Sequence, residues 1–428
     1  MKNILNRGSL NLEMALIIML LALAIILGLG WMGQNIGITF NDAADFLLSG
    51  GGSGGTPSGE PVVDVYARSF IGETISNQYK VRLYNNEIWI EVDDDPFNWY
   101  IASIDADNSS LPLSTLQPDA AWCMAADGGV YYALISDGGT TWNVSKNGVF
   151  IGSIPDTQGT NDYDFTYDLL EVEDVNDQPG VYLYNGNDLT LNRVVIDNTN
   201  YTTVLGAELD GGIDYSYMTS QDYVYERGRI SSDDYLYYAL EQYTSTKTDF
   251  EWEKTYLIKH SLSDGTNTVK KTTEPYVLLG AGDKYLIMGK IISHDAGNEI
   301  FIIDIEIWDS LTMSYQDTLS SNNVISDWMM EQYDTQGDLA AYYYNIGSNP
   351  GDTAVLTIKN QNTGKYWVAP SSTQSPGWGR HTEINEDYVV WTGFSNDWYM
   401  WLGVGKLNTI KDAGGYDTIE EALTAAGY

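Results

Sequence analysis

Three histidines, His260, His294 and His381, and one cysteine, Cys123, are the side chains of this 428-residue chain best suited to metal binding or nucleophilic chemistry. Their spacing supports neither. There is no H-E-x-x-H pair, no Cys/His cluster of zinc spacing and no P-loop. A lone cysteine in the run DAAWCMAADGG forms no intramolecular disulfide and reads as a small buried apolar group. Asp and Glu number 59, so many that any two could be named as acid and base, and the abundance empties the nomination. Two acidic stretches alternate oxygen ligands: Asp105, Asp107, Asn108 and Ser109, and Asp174, Asn176 and Asp177 ahead of Gly180. Both lack the glycine at position six and the glutamate at position twelve of a calcium loop, and read as solvated turns. Gly28, Gly30 and Gly33 match G-x-G-x-x-G but sit in an apolar run with no strand before them, which excludes a dinucleotide site. Gly51, Ser53 and Gly55 match G-x-S-x-G inside a Gly/Ser stretch with no strand-to-helix turn, which excludes a hydrolase elbow. The expectation is no catalytic residue, no metal and no cofactor. Asn108, Asn143 and Asn200 open N-x-[ST] sequons and are glycan candidates if the chain is extracellular.

The remaining residue placed as if for chemistry is Glu13. It touches an uncharged apolar run over 14–32, just long enough to span a bilayer core, with Lys2 and Arg7 before it. The basic flank keeps the start inside and sends the rest outward. A carboxylate beside such a run costs a few kcal/mol unless it is interfacial or paired. A plain signal anchor or a cleaved secretory signal leaves Glu13 unexplained. Arg7-Gly8-Ser9-Leu10-Asn11-Leu12-Glu13 followed by the apolar run resembles the class III signal peptide of archaeal type IV pilins. The resemblance implies that a prepilin peptidase cuts after Gly8, that Ser9 becomes the first residue, and that Glu13 is the fifth. Many archaeal members carry Gln first and Ser third, where this chain has Ser9 and Asn11. In a bundle of such helices the Glu13 carboxylate pairs with the new α-amine of a neighbour, in a low dielectric where pairing matters. The helix is expected to run on to Leu48, on the order of 55 Å from Leu12.

Residues 49–61 are a flexible Gly/Ser-rich linker by composition. From Val62 the pattern changes to short β-branched and aromatic runs separated by turn clusters. A repeat follows: an acidic turn, an apolar strand, then a second strand and a polar turn. Asp234, Asp283, Asp338 and Asp387 mark it at a spacing of about fifty residues, the length of a four-stranded propeller blade. Weaker echoes stand at NEIWIEV, GVYYALIS and DLLEVED. The expected architecture is a long N-terminal α-helix plus an all-β domain over 62–416, a β-propeller of seven four-stranded blades without a WD or kelch signature. Six or eight blades and a β-sandwich array are the alternatives. The marker aspartates are expected in equivalent turns before the first strand of successive blades. Residues 417–428 form a short helix or tail, with Thr418 and Glu421 at capping-box spacing.

A net charge of −38 disfavours nucleic acid and anionic lipid as partners, since both need clustered basic side chains. The 32 tyrosines and 13 tryptophans, Trp367, Trp378, Trp391, Trp398 and Trp401 among them, either pack between blades or form platforms for sugars or proteins. The functional expectation is a subunit of an extracellular pilus-like filament, assembling with itself or other pilins through the helix. Its head serves adhesion to a surface glycan or protein without turnover. A non-polymerising membrane-anchored propeller that binds sugars or peptides, and a polysaccharide-acting propeller enzyme, are the rivals.

Overall fold

The computed structural model describes strand segments between residues 65 and 175, then 178–208, 225–230, 235–243, 252–295, 300–326, 333–346, 354–371, 377–395, 400–407 and 415–428. Residues 1–64 lie outside the described residues, and with them Gly8, Ser9, Glu13, the apolar run and the linker. The chain divides between Glu60 and Pro61, and every described residue belongs to the second part.

Among the described residues the strands form seven antiparallel sheets of four strands each. In chain order the sheets cover 81–116, 126–155, 163–197, 225–271, 276–326, 334–368 and 377–406. The first six are up-and-down meanders of consecutive strands. The seventh has only three strands of its own and takes its fourth, Val65–Ser69, from the start of the domain. That strand lies antiparallel to Met400–Lys406, with Val65 opposite Gly405 and Ser69 opposite Trp401. The first strands of successive sheets touch in order: Val81–Tyr84, Ala126–Asp127, Tyr163–Thr166, Tyr225–Ile230, Tyr276–Ala281, Asp334–Gln336 and Gly377–Ile384. The last of these touches Val81–Tyr84, so the succession returns to its start.

Sheets covered on both faces need apolar side chains at every strand position, which is why the sequence shows continuous runs rather than alternation. The second strand of the fourth sheet makes this concrete. Leu236, Tyr238 and Leu240 pack on Val181, Leu183 and Ile196 of the third sheet. The intervening Tyr237 and Ala239 pack on Leu278, Met288 and Trp308 of the fifth. The period of two therefore sends one apolar row to each neighbour. The largest core joins the fifth, sixth and seventh sheets, with Ile303, Ile305, Tyr342, Tyr343, Trp367 and Trp391 among its members. Each such side chain contributes about 1.5–3 kcal/mol by leaving water.

The marker aspartates occupy equivalent turns, one strand later than the sequence suggests. Asp283 follows Tyr276–Ala281, Asp338 follows Asp334–Gln336 and Asp387 follows Gly377–Ile384, so each lies between the first and second strands. Asp234 lies outside the described residues. The C-terminal segment is a helix, Ile419–Ala425, whose N-cap Thr418 Oγ1 accepts from the Glu421 amide at 3.2 Å. Ala422 packs on Val355 and Val368. Tyr366 and Tyr416 exchange backbone hydrogen bonds at 2.8 Å, and the Ser371 amide donates to the Ala426 carbonyl at 2.7 Å. The tail thereby covers the outer edge of the sixth sheet, which would otherwise present unpaired backbone groups.

Candidate functional site

Antiparallel pairing puts the turns after first and third strands at one end of every sheet, and the connections after second strands at the other. The turn end is built from a repeated device. In the third, fourth, fifth and sixth sheets the hairpin between the third and fourth strands passes through one residue of positive φ: Leu189 at 54°, Gly265 at 76°, Met313 at 48° and Gly364 at 71°. In three of them the same backbone bonds recur, from Leu189 to Asn185, Gly265 to Ser261 and Gly364 to Asn360, at 2.8, 2.9 and 2.7 Å. Side-chain oxygens fix the loops from within. Asp188 Oδ1 accepts from the Thr190 amide at 3.0 Å and from its hydroxyl at 2.7 Å. Asp264 does the same with Thr266 at 3.0 and 2.8 Å. The Thr266 amide, its hydroxyl and the Ser261 hydroxyl hold the Asp264 carboxyl down at about 2.

Carboxylates also tie one sheet to the next. Gly337 donates its amide to Asp283 Oδ1 at 3.1 Å, and Lys284 Nζ reaches Asp338 Oδ1 at 3.0 Å, so two marker aspartates join the fifth sheet to the sixth. Asp334 Oδ2 accepts from the Ile384 amide at 2.9 Å, joining the sixth to the seventh. Glu383 Oε2 accepts from the Leu83 amide at 2.6 Å, joining the seventh to the first across 300 residues of sequence. Lys359 Nζ, on the third strand of the sixth sheet, meets Asp317 Oδ2 on the fourth strand of the fifth at 2.5 Å. Burial pulls the Lys359 ammonium down, and its bonds to Asp317 and Tyr366 more than restore it.

The three histidines stand apart, each with its own partners. His260 is buried, with Nδ1 2.8 Å from Asn267 Oδ1 and Nε2 3.0 Å from Arg193 Nη1. A guanidinium only donates, so Nε2 is the acceptor and Nδ1 carries the proton. Arg193 also donates to the Ser261 carbonyl at 3.1 Å, clasping the third sheet to the fourth. Burial is the main cause pushing the His260 imidazole below its usual range, and Arg193 adds to it. His294 stacks on Phe301 at 4.1 Å. His381 is buried, and its carbonyl accepts from the Tyr343 hydroxyl at 3.2 Å. Glu306 is a buried carboxylate that accepts from Trp308 Nε1 at 2.9 Å, and burial raises it above the carboxylate range. Among the described residues no three His, Cys, Asp or Glu side chains converge as metal ligands.

Of the sequence-derived site residues, Asn143 and Asn200 are described, and they lie in or beside different sheets. Asn143 lies in the strand Thr141–Lys146, where its Oδ1 accepts from Ser153 Oγ at 2.8 Å. Asn200 caps a turn of the third sheet, its Oδ1 accepting from the Asp197 amide at 2.8 Å. Asn108, Cys123 and Trp398 lie outside the described residues, as do Asp105, Asp107, Ser109, Asn176 and Asp177. Asp174 lies in a strand of the third sheet, Leu169–Val175. Trp367 and Trp391 are buried and pack edge to face at 6.4 Å, and Trp378 and Trp401 stand in strands of the seventh sheet. Trp367 and Trp391 thus pack between sheets. Exposed large apolar side chains include Val149, Phe150, Leu191, Leu311 and Tyr315, all on or beside third-to-fourth hairpins.

No protein-family model matches the chain, and no curated protein matches it. Solved structures do. The β-propeller domain of the Trilobed protease from Pyrococcus furiosus is 9% identical with a TM-score of 0.44, over 78% of this chain and 92% of that one. The Pyrococcus horikoshii acylaminoacyl peptidase is 8% identical with a TM-score of 0.41, over 74% of this chain and 48% of that one. The chain therefore spans about half the length of that peptidase. The comparison concerns fold alone.

Glu383, Asp334, Arg193 and Glu306 are the organising polar residues that the sequence left unmarked. Glu383, Asp334 and Arg193 have partners in other sheets, whereas Glu306 accepts from Trp308 within its own strand. The one signal in the sequence is the alternation of carboxylates with apolar residues in IFIIDIEIWD.

Proposed function

We propose that the chain is a subunit of an archaeal type IV pilus-like extracellular filament, displaying a closed seven-bladed propeller head that binds a surface glycan or protein without turnover. The observation that carries the filament reading is the spacing of Gly8, Ser9 and Glu13 ahead of the apolar run. Support for seven closed blades comes from the seven four-stranded sheets, the returning succession of first strands, and the borrowed strand Val65–Ser69. Binding without turnover is supported by the structural engagement of several described polar side chains: His260, Asp283, Asp334, Asp338 and Glu383 all bond between sheets or turns.

In this reading Glu13 neutralises the α-amine of the preceding subunit during assembly. Glu13→Ala is expected to leave the head folded and to reduce filament yield at least tenfold, counted by electron microscopy of extracellular material. Filaments at wild-type yield from that variant would remove Glu13 from assembly.

A further inference from the structure

We infer that the strand Val65–Ser69 is a tension latch, through which a pull on the N-terminal segment along the strand axis reaches the head as shear along its closing ladder. The ladder's mechanics stand on the sheet geometry; its biological meaning rests on the N-terminal segment acting as the anchor. Six sheets take their fourth strand from the next stretch of sequence, and the seventh alone takes it from the start of the domain. Val65 pairs with Gly405 beside the end of Met400–Lys406, which is the turn end.

A force drawing residue 64 away from the far end of the seventh sheet therefore strains the pairs Val65–Gly405 to Ser69–Trp401 together. Their register carries no shift, so no weak point lets one pair part before the others. A force directed across the sheet from the same turn end instead opens Val65–Gly405 first and peels the rest in sequence. Forced opening follows the barrier met along the pulling direction. The same ladder is thus strong against a tether that resists a distant ligand and weak against sideways displacement. Release frees the chain up to Val81, where the first sheet begins, roughly 55 Å of contour.

The test is single-molecule pulling on the purified full chain in a Cys123→Ser background. One click handle is placed at Ser58. The second is placed either at Asn396, in the connection between Tyr388–Ser395 and Met400–Lys406, or at Glu386, in the turn at the other end of Tyr388–Ser395. The latch predicts a first rupture releasing roughly 55 Å in both geometries. Its force should be at least twofold higher with the Asn396 handle. A disulfide across the ladder, Arg68→Cys with Leu402→Cys, should abolish that rupture when oxidised and restore it when reduced. Equal forces in the two geometries, or a first rupture that survives the oxidised disulfide, would overturn the latch. A mature chain that begins beyond Met32 would instead remove the anchor while leaving these forces unchanged.

Discussion

At the scale of single residues, the clasp of His260 between Arg193 and Asn267 has a pH consequence. The neutral imidazole accepts from Arg193 through Nε2, so protonation there would set two cations against each other. The folded state holds His260 below its usual 6.5, whereas the unfolded chain titrates near that value. The unfolded chain therefore binds more protons as pH falls through 6.5, and stability is lost on acidification from that point down to the lowered folded value. Asp264 adds a second loss at lower pH, between its ordinary 3.8 and about 2. Urea denaturation of the full chain is expected to show a midpoint that falls from pH 7.5 to pH 5.5, with a smaller fall in His260→Asn. Equal falls in the two proteins would take the clasp out of the pH response. None of this was legible in the sequence, because Arg193 and His260 stand 67 positions apart and neither belongs to a motif.

At the scale of elements, the seventh sheet depends on a missing side chain. Gly403 lies between Trp391 on one neighbouring strand and Ala67 on the closing strand, and a Cβ there would run into the Trp391 indole. Gly403→Ala is expected to destabilise the domain by about 1–3 kcal/mol, measured by denaturation, as overpacking of a dense core does. The same substitution at Gly337, whose φ is 57° and whose surroundings are open, tests backbone strain without a clash. Thr418→Ala should cost about 1 kcal/mol of local stability and speed amide exchange over Ile419–Ala425 while leaving the sheets protected. Unchanged exchange there would show that packing on Val355 and Val368, rather than the cap, holds the helix. The second strands were the legible elements. NEIWIEV, GVYYALIS, DLLEVED and the four runs after the marker aspartates all fall on second strands. Where the side chains are described, as in 236–240 and 339–343, these strands are buried. The first strands were not legible. Ala126–Asp127 and Asp334–Gln336 are too short for any period, and Gly377–Ile384 reads GWGRHTEI. The repeat legible in the sequence is therefore that of the second strands.

At the scale of the molecule, the domain is held by sequence-distant contacts at its two ends. The strand Val65–Ser69 pairs with residues near position 400, and Glu383 receives the Leu83 amide. No local pattern announces VYARS as the partner of MWLGVGK, since pairing across the whole domain is a property of topology. The filament reading stands at the other end of the chain, on Gly8, Ser9 and Glu13, and is separable from everything the sheets reveal. Mass spectrometry of the mature N-terminus, on chain purified from the cells that make it, tests it most directly. The spacing of Gly8 and Glu13 predicts a protein that begins at Ser9. A mature protein beginning at Met1, or beyond Met32, would contradict it.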